Sequence, residues 1–355
     1  MGTIFDYLAW RGDIKFNKSE FNNIDNLIFA EISYVDFSDA FKQNDTMTLK
    51  EAVSKSFKDK KDEDIVLGLI VPQAIVKMTR LASSCNRFKN VKVSDYENII
   101  KDDPSTQFSA MCFHIDNDTI YIAIRGTDDT LLGWQENLDM VANFPVPAQK
   151  LSLKYLEKIA KKYKDKKIYI GGQSKGGNLA FYAAMYAPKN IQDRIIMAYS
   201  NDGPGFIKSF IDNNKYEKIK DKLTLIIPQS CVVGLLFDLY YGKMIIVKSN
   251  QKGVKQHDSL SWQCLGASFV EAHELSKNAL KLNDDIDKLL YKLSFEERKD
   301  LASSMYDFIK KIKKDTLIEC QKDPFSLLTN LNKIPYKNRK VLTKFVTLFI
   351  KNKQA

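Results

Sequence analysis

Between residues 109 and 249, short apolar runs of strand character alternate with stretches of helical periodicity, and few folds accept that order. SAMCFHIDNDTIYIAIRGT reads as two strands joined at Asp116–Asp118, a turn rich in Asn and Asp. LSLKYLEKIAKKY (151–163) then carries apolar residues near helical spacing, and KKIYIGG (166–172) is a short strand. A helix from about Lys175 stops at Pro188, where the ring removes an amide donor. Strand 194–200, a helix near 206–220, and strands 222–228 and 243–249 complete the series. Strands alternating with helices predict a mostly parallel sheet covered on both faces, the α/β class. Before residue 60 a helical pattern stands out only at 23–37. After about Ala267 the pattern is helical throughout, with a capping box at Ser294 and Glu297. The expected division is one α/β domain over 1–267 and a basic helical extension over 268–355.

Within that frame IYIGGQSKGGNLAFYAA carries the chemistry. It holds G-x-S-x-G at Gly172, Gln173, Ser174, Lys175 and Gly176, directly after a strand and directly before a helix. A nucleophilic serine needs such a tight turn, with glycines beside it that keep Cβ atoms away from the bend. The helix that follows offers unpaired N–H groups, and the Lys175 amide is the expected donor to a developing oxyanion. Neither a dinucleotide-binding G-x-G-x-x-G nor a phosphate loop is present.

A second piece is the strand 121–124 ending in Arg125-Gly126-Thr127, followed by Trp134 and Asp139. Together, IAIRGTDDTLLGWQENLDM and GGQSKGGNLA resemble class 3 lipases, and the opening IFDYLAWRGD is similar to a bacterial family of lipase-like serine hydrolases. The resemblance spans roughly residues 1–265. It implies an α/β-hydrolase fold, a serine esterase or lipase-like activity without cofactor or metal, and Thr127 as the second oxyanion donor.

Such an enzyme needs a base, and the chain has three histidines. His114 lies inside a strand ahead of the nucleophile, and His273 lies in a helical pattern. His257, in VKQHDSLSWQ after the last strand, is the one whose chain order suits a catalytic base. The acid is less plain. After strand 222–228 stand Gln229 and Ser230, where the lipase pattern has Asp. Asp202, in SNDGPG at the end of the previous strand, takes the role in this reading, with Asp238 and Asp258 as the alternatives. The expected triad is therefore Ser174–Asp202–His257. Two rival readings stand beside the esterase: a binding or scaffold protein that has lost the acid, and a thioesterase or peptidase using the same triad. The apolar stretch 231–242 reads either as a lid or acyl-pocket wall, or as ordinary core.

Composition bounds the partners. Of 54 basic residues only seven are Arg, the residue on which base reading and bidentate phosphate grips depend, so a sequence-specific nucleic-acid binder is not expected. From Ser276 onward there are 18 Lys/Arg against 10 Asp/Glu, so most of the net charge of +10 sits at that end. Residues 333–353 interleave seven basic residues with Leu342, Phe345, Val346 and Phe349 on one helical face. That helix reads either as one lying on an anionic membrane or as one packing its stripe on the domain. Five cysteines without a C-x-x-C pair point away from a disulfide framework or structural zinc. No secretory signal and no unbroken apolar span are found, so a cytoplasmic protein acting on a small-molecule or lipid ester is the expectation.

Overall fold

The computed structural model describes residues 1–41, 45–65, 67, 71–127, 136–137, 139–311 and 339. Eight strands form one sheet in sequential order: β1 (Thr46–Thr48), β2 (Lys92–Lys101), β3 (Thr106–His114), β4 (Thr119–Ile124), β5 (Lys167–Gln173), β6 (Ile195–Asn201), β7 (Leu223–Pro228) and β8 (Lys243–Val247). β1 to β4 run antiparallel, and β4 to β8 are parallel. The sheet, its flanking helices and the strand–turn–helix at Ser174 are those of an α/β-hydrolase fold.

Sequential order has a consequence for packing. Parallel crossovers are right-handed, and crossovers that all step the same way along a sheet place their helices on the same face. The helices α5 (Pro147–Lys162) and α6 (Lys175–Tyr186) accordingly share one face with Ile120, Ile122 and Ile124 of β4 and with Ile168 and Ile170 of β5. The alternate residues, Tyr121 and Ala123, face the other way, as the two-residue period of a strand requires. That second face is covered by the N-terminal helices α1 (Ile4–Arg11), α2 (Asn23–Ile32), α3 (Leu49–Ser56) and α4 (Ala74–Ser84). Phe29 of α2 stacks on Phe113 at 4.3 Å between ring centroids. A buried ion pair locks the layer: Arg87 Nε donates to Asp25 Oδ1 at 2.8 Å, while its Nη groups donate to the carbonyls of Ile14, Ser19 and Glu20.

Several elements differ from the sequence reading. β2 carries no clean alternation, because a register shift between Ser94 and Glu97 breaks its period, and the sequence did not signal it. The region near 206–220 holds a 3₁₀ turn at Lys208–Phe210, the short α8 (Asn213–Glu217) and the start of a second 3₁₀ turn at Lys220–Lys222, after the short α7 (Lys189–Gln192). Past Ala267 a two-residue strand, β10 (Ser268–Phe269), pairs back on β9 (Cys264–Leu265), so the boundary read at 267/268 falls inside a hairpin. His273 is exposed in the irregular stretch before α9 (Lys277–Leu290), not in a helix. α9 and α10 (Phe295–Lys311) follow, and Leu282, Ile286, Leu290 and Leu301 bury themselves against Ile207 and Phe237. The expected capping box is present, with Glu297 N–H donating to Ser294 Oγ at 3.3 Å. The readings of the basic tail 333–353 and of Trp134 lie outside the described residues, Arg339 aside. No described helix is long and apolar enough to cross a membrane.

Candidate active site

The strand β5 ends at Gln173 and α6 starts at Lys175, so the chain must reverse within the one residue between them. Ser174 absorbs that reversal with φ 56° and ψ −132°, a conformation that side chains rarely hold. Close approach explains the flanking glycines: a Cβ at Gly172 or Gly176 would run into the carbonyl oxygen of Ile124 on the neighbouring strand. The Ser174 N–H donates to the carbonyl of Asn201 at 2.9 Å, which pins the turn to β6.

Asp202 follows β6 directly. It is fully buried with φ 51°, and its N–H donates to the Ile226 carbonyl at 2.8 Å. His257 closes a 3₁₀ turn, Gly253–His257, on the loop after β8. The structure brings the three side chains into one chain of hydrogen bonds. His257 Nδ1 lies 2.6 Å from Asp202 Oδ2, and its Nε2 lies 3.1 Å from Ser174 Oγ. With Nδ1–H donating to the carboxylate, Nε2 is left to accept from the Ser174 hydroxyl. The other carboxylate oxygen accepts from the Gly234 N–H at 3.0 Å and from the Cys231 thiol. Burial, with the charge of Asp202 beside it, pushes that thiol well above its ordinary pKa, so it stays a neutral donor. Burial alone would lower the His257 pKa, but the hydrogen bond and charge of Asp202, helped by Glu31 and Asp258, outweigh it and leave the imidazole above its ordinary value.

The alternative residues lie elsewhere. Asp238 Oδ2 accepts instead from the Lys208 N–H at 3.1 Å and from the Tyr291 hydroxyl. Asp258 caps a 3₁₀ turn, accepting from the Leu260 N–H at 3.1 Å. His114 Nε2 sits 2.9 Å from Ser94 Oγ with Tyr163 edge-on, and burial with nearby lysines, foremost Lys166, lowers its pKa to about 4. The stretch 231–242 is irregular around a 3₁₀ turn at Val233–Leu235. It buries Cys231 and Leu235 and presents the Gly234 amide to Asp202.

Thr127 and Lys175, the two residues expected to flank an oxyanion, sit at the end of β4 and the start of α6. Thr127 Oγ1 is paired with Asn137, donating to its Oδ1 at 3.0 Å or accepting from its Nδ2 at 2.7 Å. The Lys175 side chain is buried and pairs with Glu136 at 2.9 Å.

Sequence reasoning missed a set of supports on α2 and the residues after it. Asn26 Nδ2 donates to Asn201 Oδ1 at 2.9 Å, next to Asp202. The Tyr34 hydroxyl donates to Gln173 Oε1 at 2.6 Å, next to Ser174, and Gln173 Nε2 in turn donates to the His257 carbonyl at 3.2 Å. Glu31 accepts from Ser259 Oγ, two residues past His257. A lone acid inside the apolar run NLIFAEI was the one signal available for Glu31. Among the described residues no three His, Cys, Asp or Glu side chains cluster as metal ligands would.

A family model described as Mbeg1-like matches residues 82–307. The chain belongs to the Mbeg1-like family. The match leaves out α1 to α3, so Asn26, Glu31 and Tyr34, which hold the neighbours of Ser174, Asp202 and His257, lie ahead of it. No curated protein sequence matches the chain. Among solved structures it is similar to the Rhizomucor miehei lipase in its propeptide complex at 16% identity, over 44% of this chain and 57% of that one, with a TM-score of 0.34. The M37 lipase shares 19% identity over 60% of this chain and 68% of its own, with a TM-score of 0.36. Lipase II from Rhizopus niveus shares 15% over 57% and 77%, with a TM-score of 0.32. The chain thus spans little more than half of the first of these lipases, and any function for this member is argued from its own side chains.

Proposed function

We propose that this Mbeg1-like protein is a serine acyl-hydrolase of the esterase or lipase-like kind. The observation that carries the reading is the continuous Ser174–His257–Asp202 chain at 3.1 and 2.6 Å, with the serine held on a strained strand–helix turn. Ser174 Oγ attacks the acyl carbonyl carbon as His257 Nε2 takes the hydroxyl proton, and the carbonyl electron pair moves to oxygen. The amides of Lys175 and Thr127 receive that oxyanion. Collapse expels the alcohol, which leaves with the proton from His257, and water repeats the cycle on the acyl-enzyme. Asp202 keeps Nδ1 protonated and stabilises the imidazolium as it forms. The substrate class is a carboxylic ester, either a small molecule or a lipid.

The test is labelling with a fluorophosphonate and turnover of p-nitrophenyl esters of increasing chain length. Wild-type protein is expected to label and to hydrolyse, and Ser174→Ala to do neither while keeping its fold, because one oxygen is removed from a turn. Labelling that persists in Ser174→Ala rules this serine out as nucleophile.

A further inference from the structure

Lysine is an odd residue to bury directly behind a nucleophilic serine. A buried cation requires compensation, and a helix start on an apolar sheet edge has no need of one. Lys175 is nonetheless 1% exposed, and its partner Glu136 is fully buried. Its side chain reaches the segment that follows β4. The ammonium donates to Glu136 Oε2 at 2.9 Å, to Gln107 Oε1 at 2.8 Å and to the Gln107 carbonyl at 3.0 Å. Glu136 is itself held by the N–H groups of Gln107 and Ala148, at 3.1 and 2.8 Å.

From these anchors two lines converge on Thr127. Gln107 Nε2 donates to the carbonyl of Gly126 at 3.3 Å, fixing the residue before Thr127. Asn137, next in sequence to Glu136, grips the Thr127 hydroxyl. One side chain therefore ties together the two ends of the polypeptide whose amides face the oxyanion in the reading above. We infer that Lys175 and Glu136 are positioning residues: their buried ion pair, relayed through Gln107 and Asn137, sets the position of the Thr127 amide against that of Lys175, coupling the 125–127 turn to the nucleophile helix.

The inference rests on the serine-hydrolase reading, and its test keeps the two apart. Lys175→Met alone leaves a buried carboxylate without its cation, so the informative variant is the double Lys175→Met/Glu136→Gln, which removes both charges. Asn137→Ala cuts the relay to Thr127 without touching the ion pair and guards against a double variant that does not fold. With p-nitrophenyl butyrate, kcat is expected to fall by about 100-fold in the double variant, the scale of a misplaced catalytic group, with KM little changed. Affinity for an alkyl trifluoromethyl ketone, whose adduct places an oxyanion in the same site, is expected to weaken in step with kcat. Asn137→Ala is expected to move kcat and ketone affinity in the same direction at unchanged melting temperature. Hydrogen exchange over 125–127 is expected to quicken in both variants, a readout that stands even if the wild type hydrolyses no ester. Wild-type kcat, ketone affinity and exchange in Asn137→Ala overturn the inference, as does a folded double variant with wild-type kcat.

Discussion

At the scale of single residues, the proposed nucleophile and the proposed base stand out in the sequence because each obeys a local rule. Ser174 stands in a motif whose glycines exist for a close approach to Ile124, and that requirement is written in the sequence itself. His257 was legible from chain order, lying on the loop that directly follows the last strand of the sheet. The acid was harder, since an Asp in an Asp-Gly-Pro-Gly turn serves equally well as a turn former. What separates Asp202 from Asp238 is three-dimensional: the first is buried against His257 Nδ1, and the second faces Tyr291 and Lys208. Asp202→Asn is therefore expected to lower kcat by about 10⁴-fold, the scale seen when a triad imidazole loses its tautomer, with KM little changed. Asp238→Asn is expected to leave kcat near wild type, and steady-state kinetics on one ester compares the two. The pH profile follows from the raised His257 pKa. The imidazole works as a base only when neutral, so activity rises with pH through that pKa, and the acid limb of kcat/KM is expected to have its midpoint above 6.5. In Asp202→Asn burial acts without its main opponent, and the residual activity should show that midpoint moved down.

At the scale of elements, α2 shows what periodicity alone leaves out. Its apolar face announces a helix, and the box at its start, Asn22 accepting from the Ile24 and Asp25 amides, marks where it begins. The polar contacts made by Asn26, Glu31 and the following Tyr34 span separations of 139 to 228 residues to reach Gln173, Asn201 and Ser259. No local pattern encodes a partner that far away. β2 was illegible for another reason: with a bulge between Ser94 and Glu97, its inward and outward residues exchange places midway. Glu31 yields a prediction of its own. Burial, resisted by the Ser259 hydroxyl, raises its pKa from 4.5 to about 8, with Asp258 adding to the rise and His257 opposing it. The native protein then holds a proton that the unfolded chain releases near pH 4.5. Between that pH and about 8 the unfolded state binds fewer protons, so stability falls as pH rises, by on the order of 5 kcal/mol at most across the window. Glu31→Gln keeps an acceptor for Ser259 and has no proton to lose. Urea midpoints at pH 5 and pH 8 are expected to differ less in Glu31→Gln than in the wild type. An equal pH dependence in both would show that Glu31 ionises normally.

At the scale of the whole molecule, the middle of the sheet was legible because its strands are buried on both faces and read as unbroken apolar runs, as in LTLIIP of β7. The layering was not. Sequential strand order sends α5 and α6 to one side, so the residues before 60, which looked irregular in sequence outside 23–37, close the other together with α4. The same reasoning bears on the C-terminal end. Leu282, Ile286 and Leu290 of α9 and Leu301 of α10 pack on Ile207 and Phe237, while Leu280 and Phe295 stay exposed. The stripe of Leu342, Phe345, Val346 and Phe349 further on, flanked by lysines, has two surfaces open to it, the domain or an anionic bilayer. Truncation after Asn332 separates them, since Leu282, Ile286 and Leu290 remain to hold α9 in place. If the tail lies on membranes, the shortened chain keeps its melting temperature and its turnover of soluble esters but loses salt-sensitive binding to vesicles containing phosphatidylserine, each basic residue near the surface contributing about 1 kcal/mol. If the tail packs on the domain, the full chain ignores those vesicles and the shortened one melts earlier, because removing a helix uncovers apolar surface worth roughly 25 cal/mol per Å².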